Sequence, residues 1–108
     1  RTLFETIAME AQAQIQRFNP QDFATTVWAF ATAGVSSPAL FEAIAVEAEK
    51  QVQRFNPHDI ANAAWAFATA GISSLDLFEA IAAEARAKVH HFDPQDLANT
   101  AWAFAALG

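Results

Sequence analysis

The chain has 108 residues, no cysteine and a formal net charge of −6 at pH 7. Its length suits one domain, and a hydrophobic share of 54% excludes an intrinsically disordered chain. The lack of cysteine excludes a disulfide scaffold and a thiolate zinc site, and the acidic balance argues mildly against a phosphate-rich partner. The longest uncharged run, residues 23–41, is interrupted by Gly34 and Pro38, so we expect no transmembrane helix.

The sequence repeats itself with a fixed period. Trp28, Trp65 and Trp102 lie 37 residues apart, and prolines, glycines, phenylalanines and glutamates keep the same step. A period of this size is typical of stacked helical repeats. We therefore expect a single array of three units, at residues 1–34, 35–71 and 72–108. Because the first and last units carry no polar capping substitutions, we expect this array to be a fragment of a longer one.

Each unit is predicted to contain two helices, here called helix A and helix B. In the second unit, Ser37 is suited to the N-cap and Pro38 to the first turn of helix A, which we expect to run to about Arg54. Its apolar residues recur at helical spacing, which predicts one buried face.

Helix B of the second unit follows directly. Asn56 is suited to its N-cap, Asp59 to its first turn, and Gly71 to the left-handed residue that ends it. The fold class is therefore predicted to be all-α, an α-solenoid of three tandem 37-residue helix-turn-helix repeats with six helices.

Helix B is apolar around most of its circumference, which indicates that it is packed between neighbours. Trp28, Trp65 and Trp102 sit between alanines and phenylalanines on this helix. Two interpretations are open: the indoles fill the space between helix layers, or they stack on nucleic-acid bases. We expect the first, with the tryptophans in the core.

No catalytic or metal-binding constellation is evident. Glutamates recur in every unit, as at Glu10, Glu47 and Glu84, whereas a catalytic pair normally occurs once in one pocket. The adjacent His90 and His91 point about 100° apart on a helix and do not chelate together. His58 replaces a glutamine of the other units and is interpreted as a surface residue. We expect no enzyme, metal, cofactor or small-molecule substrate.

Two sets of residues are candidates for ligand binding. A polar stripe on helix B holds Asp22, Thr25, Thr26, Ala29 and Thr32, with Asn62 and Asn99 at the Thr25 position. These amides either contact base edges or form a ladder of hydrogen bonds between helices, and we favour the ladder. A second stripe, on helix A, changes from unit to unit and is predicted to be exposed: Thr2, Thr6, Met9 and Ala13 in the first unit.

Basic residues cluster near the C-terminal ends of the A helices: Arg17, Lys50, Arg54, Arg86 and Lys88, together with His90 and His91. In a stack they would line one edge, where they could contact phosphates. Complementarity with the helix dipole explains the same placement without a ligand.

The helix B sequences resemble a known family. They read FNPQDFATTVWAFATAG, FNPHDIANAAWAFATAG and FDPQDLANTAWAFAALG. This pattern resembles the octotricopeptide repeats of organellar proteins and their heptatricopeptide-like, 37-residue relatives. The resemblance covers the whole chain and implies RNA binding in a chloroplast or mitochondrion, with roles in transcript stability, processing or translation.

Two functions are therefore open. The first is a non-catalytic module that binds single-stranded RNA, with Thr25, Asn62 and Asn99 contacting bases and the basic residues contacting phosphates. The alternative is a protein-interaction scaffold or a structural subunit of an organellar assembly, which the acidic balance and the alanine-rich stripe of helix A favour.

Overall fold

The computed structural model describes residues 2–107 and confirms the all-α fold class. Within those residues it has six α-helices and no strand. Their bounds are α1 Leu3–Ala13, α2 Pro20–Ala33, α3 Pro38–Gln51, α4 Pro57–Ala70, α5 Leu75–Lys88 and α6 Pro94–Leu107. Helices α1, α3 and α5 are the A helices of the three units, and α2, α4 and α6 are the B helices.

Each A helix is followed by a short 3₁₀ turn. The α-helix of the second unit stops at Gln51, and Val52–Arg54 forms a 3₁₀ turn, as do Ile15–Arg17 and Val89–His91. The tighter turn pairs carbonyls that an α-helix end would leave without a donor, and Phe55 N donates to Val52 O over 3.0 Å. Helix A of the second unit is therefore helical to Arg54 as predicted, with its last turn in the 3₁₀ form.

Capping residues fix both ends of the B helices. Asn56 Oδ1 accepts from Asp59 N over 2.8 Å, and Asp59 Oδ2 accepts from Asn56 N over 3.3 Å. The first and third units repeat this reciprocal box. Gly71 ends α4 with φ +70°, in the left-handed region that favours glycine. These predictions are confirmed; Gly108, expected to end α6, lies outside the described residues.

The N-caps of α3 and α5 are weaker than those of the B helices. Ser37 is the N-cap residue of α3, but its side chain makes no capping hydrogen bond.

We therefore expect Asn56→Ala to lower the free energy of unfolding by about 1 kcal/mol, because it leaves the amide of Asp59 without its acceptor. Urea denaturation measures the loss. Ser37→Ala is the matched control and should change stability much less; equal losses would contradict this account of the caps.

The same aromatic contact joins helix A to helix B in every unit. Ring centroids lie 5.1 Å apart in the three equivalent pairs, Phe4–Phe30, Phe41–Phe67 and Phe78–Phe104. In the second unit both rings are fully buried. The predicted core of helix A is confirmed, with these residues buried: Leu40, Phe41, Ile44, Ala45, Ala48, Val52 and Phe55. The core therefore lies between a layer of A helices and a layer of B helices.

The two layers are packed differently between units. The B helices contact one another extensively, α2 with α4 and α4 with α6, whereas the A helices contact one another much less. Small residues on α4, such as Ala63, Ala64 and Ala66, are buried and let the backbones approach closely. Polar links also cross between units: Gln51 Nε2 donates to Phe18 O over 3.0 Å. The B layer is therefore the more closely spaced of the two.

Within residues 2–107, no helix combines the length and the hydropathy of a membrane span.

Candidate nucleic-acid interface

Trp28 and Trp102 lie at the surface, so their expected place in the core is wrong, whereas Trp65 packs against the core as predicted. Trp28 is 44% exposed and Trp102 49% exposed, while Trp65 is half-buried. The reason is helical geometry. Phe67 faces the A layer, and a residue two positions away on a helix points about 200° from it, to the opposite side. The phenylalanine two residues after each tryptophan was the signal in the sequence.

Each tryptophan belongs to an exposed stripe of its B helix. In α4, His58, Asn62, Trp65 and Thr69 follow one another at intervals of four, three and four residues, which places them on one side of the helix. Their equivalents form the same stripe on α2 and α6. We call the combined surface the tryptophan face; it consists of Gln21, Thr25, Trp28, Thr32, His58, Asn62, Trp65, Thr69, Gln95, Asn99, Trp102 and Ala106.

Three predicted site residues lie next to the indoles. Thr25 is exposed, Asn62 and Asn99 are half-buried, and each precedes a tryptophan by three residues. Within residues 2–107 none of these three side chains hydrogen-bonds to a neighbouring helix, so the expected ladder is wrong.

The rest of the predicted helix B stripe lies elsewhere. Asp59 and Asp96, the equivalents of Asp22, are buried, and so is Ala66 at the Ala29 position. These positions face the preceding unit, about 100° around the helix from the tryptophans. Only the Thr25 and Thr32 positions of the predicted stripe belong to the tryptophan face.

The tryptophan face carries no carboxylate, although the chain has a net charge of −6. Of the twelve acidic residues, two lie on α1, three on α3 and three on α5, all in the other layer. The remaining four are capping residues at the starts of the B helices. Most of the charge that argued against a phosphate-rich partner therefore lies on the other layer, while Asp93 and Asp96 contact His58 at the edge of the tryptophan face.

The predicted basic residues do not all remain available to a ligand. Lys88 Nζ donates to Phe55 O over 2.6 Å and pairs with Glu84 over 3.1 Å, so it links two units. Lys50 Nζ lies 3.2 Å from a carboxylate oxygen of Glu47.

Arg17, Arg54 and Arg86 are exposed. Arg17 and Arg54 sit in the 3₁₀ turns that lead directly into α2 and α4, so they lie at the end where the tryptophan face begins. The guanidinium of Arg54 also donates to Gln51 Oε1 over 3.0 Å. The contacts of Lys88 thus assign it to packing between units.

The variable stripe of helix A lies on the opposite layer. Met9 is 55% exposed and Val46 56% exposed, and the alanines at Ala39 and Ala83 are exposed as well. The stripe is on the surface as predicted, on the same helices as most of the carboxylates.

His58 is exposed, as the sequence predicted, and it also contacts the third unit. Its Nδ1 lies 2.7 Å from Asp96 Oδ1, and its Nε2 lies 3.8 Å from Asp93 Oδ2. The three residues bring donor atoms within 4.8 Å of one another, as a metal site requires. However, Asp93 and Asp96 already accept hydrogen bonds from each other's backbone amides in the capping box of α6. The arrangement is accounted for as a link between the second and third units.

This link makes stability depend on pH. The hydrogen bond to Asp96 and the nearby carboxylates of Asp96, Asp93 and Asp59 raise the pKa of His58 above its ordinary value of 6.5, against a smaller effect of burial. A raised pKa in the folded chain stabilises it below pH 6.5, and this contribution is lost as the pH rises through the folded value. We expect His58→Gln, the residue of the other two units, to remove this dependence.

Urea denaturation of the wild type and of the His58→Gln variant, at several pH values from about 6 to 8, measures the free energy of unfolding of each. His90 and His91 are present in both, so the difference between the chains isolates His58. If the free energy of unfolding depends on pH in the same way in both proteins, the contact between His58 and Asp96 does not stabilise the fold as described.

Comparison with known proteins identifies the family. The sequence model of RESC6, described as RNA-editing substrate-binding complex 6 protein, matches residues 1–108. The chain belongs to this family. No curated protein matches it.

The resemblance to octotricopeptide and heptatricopeptide-like repeats is therefore wrong, because the family that matches the whole chain is RESC6. The shared pattern has a physical origin. An Asn-Pro-x-Asp start supplies a capping box, the alanines allow close helix packing, and the final glycine supplies a left-handed stop. Any stacked pair of short helices requires N-terminal caps, close packing and a defined end, so the motif does not identify one family.

Proposed function

We propose that this chain, as a member of the RESC6 family, is a non-catalytic module of an RNA-editing substrate-binding complex and binds single-stranded RNA on its tryptophan face. The observation that carries the proposal is the row of three tryptophans, one in each helix pair, of which Trp28 and Trp102 are exposed and Trp65 is half-buried. We place this activity in the mitochondrion, where RNA-editing complexes of this type act; nothing supports the chloroplast that the resemblance had implied.

Each indole offers a stacking surface for one base. Stacking of a base on an aromatic side chain contributes about 1–3 kcal/mol and tolerates any base, since every base has a π-face. Successive units then contact successive bases, as in other helical-repeat proteins that read one base per repeat. We take residues 1–34, 35–71 and 72–108 as these units.

The polar neighbours add hydrogen bonds. Asn62 and Asn99 precede Trp65 and Trp102 by three residues, so a base stacked on the indole would present its edge to the amide. An asparagine amide both donates and accepts, which suits a base edge better than the hydroxyl of Thr25 in the first unit. We propose that the second and third units distinguish bases more strongly than the first.

Phosphate contacts are expected at the edge of this surface. Arg17 and Arg54 lie at the N-terminal ends of the stripes on α2 and α4, and Arg86 extends the basic edge on α5. Lys50 and Lys88 contribute less because both already pair with glutamates. Because few cations are available, we expect a weak dependence of affinity on salt.

A direct titration tests the proposal. Tryptophan fluorescence is followed while the chain is titrated with a single-stranded RNA of mixed sequence, and with a duplex of the same length. The proposal predicts quenching by the single strand and little response to the duplex, whose base faces are already stacked. No quenching by the single strand, or equal quenching by both, would contradict it.

A second function is supported by the opposite layer. Met9 and Val46 are more than half exposed on the A helices, on a surface that also carries most of the carboxylates. This surface suits a protein partner, so a structural role within the complex remains the alternative to RNA binding. The scaffold is favoured if the chain fails to bind RNA but remains in a complex that survives nuclease treatment.

A further inference from the structure

A groove lies on the A layer, between α3 and the segment that leads from α4 into α5. Its volume is about 220 Å³, which gives room for one long side chain. We call it the acidic groove, and we define it by six of the residues that line it: Glu42, Val46, Glu49, Ile72, Ser74 and Asp76.

The acidic groove is open although units flank it on both sides. Val46 belongs to the central unit, which packs on the first unit through α1 and α2 and on the third unit through α5 and α6. Its side chain is nevertheless 56% exposed, and the equivalent Met9 is 55% exposed although two units follow it. Stacking of units therefore leaves this side of the A helices uncovered, so the exposure of the groove does not depend on where the chain begins or ends.

The acidic groove combines apolar residues with uncompensated carboxylates. Val46 and the half-buried Ile72 supply apolar surface. Glu42 and Glu49 lie two turns apart on one side of α3, and Asp76 lies in the first turn of α5. Within residues 2–107 none of these three carboxylates forms a salt bridge, whereas two other glutamates of the A layer pair with lysines. The three charges are therefore available to a cation from another molecule.

The equivalent surface between the first and second units carries one carboxylate instead of three. Glu5 stands at the position of Glu42, but Gln12 stands at the position of Glu49 and Ala39 at that of Asp76. Both junctions are built from the same helices and stack in the same order. The two additional carboxylates are therefore not needed to stack one unit on the next, and a ligand of this groove gives them a role.

We propose that the acidic groove binds an arginine side chain from a basic segment of a protein partner. The methylene stem of an arginine can pack on Val46 and Ile72 while its guanidinium pairs with the carboxylates around them. The negative charge that attracts this side chain repels the phosphates of RNA, so the groove and the tryptophan face have different ligands. This inference rests on the protein-binding alternative given above and adds the chemistry of the partner.

An NMR titration tests the proposal, because it detects weak binding and locates it. The isotope-labelled chain is titrated with the peptide Gly-Leu-Arg-Leu-Gly and with the same peptide carrying citrulline, a neutral isostere, in place of arginine. The arginine peptide is expected to shift the amide resonances of Val46, Ile72 and Asp76. The citrulline peptide should bind about tenfold more weakly, since it lacks the charge that pairs with the carboxylates.

Variants of the groove test which carboxylates matter. Glu49→Gln and Asp76→Ala introduce the residues of the first junction, where the fold already accommodates them. Each exposed ion pair contributes a factor of about two to five in affinity, so the double variant should bind the arginine peptide about tenfold more weakly. Glu47→Gln is the control, because it changes the net charge as Glu49→Gln does but lies outside the groove, and it should leave the affinity unchanged.

The reverse changes should create a second groove. Gln12→Glu combined with Ala39→Asp is expected to add shifts at the amides of Met9 and Val35 when the arginine peptide is titrated. No binding of this peptide, equal binding of the citrulline peptide, equal losses in Glu47→Gln and Glu49→Gln, or shifts of the groove amides by single-stranded RNA would each overturn the proposal. A chain that enters a nuclease-resistant complex without binding the peptide would contradict this inference alone and not the structural role.

Discussion

Replacing Trp28, Trp65 and Trp102 together with alanine is expected to weaken the binding of single-stranded RNA by about 100-fold or more. Each stacked base contributes about 1–3 kcal/mol, so one tryptophan alone should account for about 5- to 150-fold in affinity. Fluorescence anisotropy of a labelled RNA measures the loss, since the variant has no tryptophan to report binding. Stability is measured in parallel, because Trp65 is half-buried and supports the core.

Two matched controls separate stacking from damage to the fold. Tryptophan-to-phenylalanine changes at the same three positions keep an aromatic ring and should retain most of the affinity. Met9→Ala and Val46→Ala remove exposed apolar side chains from the opposite layer and should leave RNA affinity unchanged. If the folded alanine variant binds RNA as tightly as the wild type, the tryptophan face is not the binding surface.

Phe67→Ala is expected to lower the free energy of unfolding by about 3–5 kcal/mol. Phe67 is fully buried in the central unit and meets Phe41 with ring centroids 5.1 Å apart. Truncation leaves a cavity that helices on both sides cannot fill, since their backbones are held by close packing of the B layer. Urea denaturation measures the change.

Phe104→Ala is the control for this prediction. Phe104 occupies the same position in the third unit and makes the same contact with its A helix, but it is only partly buried. Phe104→Ala should therefore lower the free energy of unfolding by clearly less than Phe67→Ala does. Equal losses at Phe67 and Phe104 would contradict the view that burial between units stabilises the array.

Local signals in the sequence were sufficient to predict where most of the helices begin and end. Asn56 and Asp59 form the expected capping box, and Gly71 adopts the expected left-handed conformation, because each of these interactions involves residues close in the chain. The apolar spacing of α3 predicted its buried face for the same reason. The 3₁₀ turn after Gln51 was missed because arginine and glutamine fit either kind of helix equally well.

Contacts between units were harder to anticipate. Trp28 and Trp102 looked like core residues because alanine and phenylalanine surround them, yet each lies opposite a phenylalanine that faces the A layer and is therefore exposed. The link from His58 to Asp96 and the link from Lys88 to Phe55 O join residues more than 30 positions apart. Such contacts depend on how units stack, which the repeat pattern alone does not specify. The family resemblance failed because its motif describes the packing of helices and not a binding site.

The most direct test of the central claim is photocrosslinking of the chain to a single-stranded RNA that contains 5-iodouridine, followed by mass spectrometry of the crosslinked peptides. Halogenated bases react with an aromatic ring on which they stack, so the account predicts crosslinks at Trp28, Trp65 and Trp102. Crosslinks confined to the A helices, or none from an RNA that the chain binds, would contradict it.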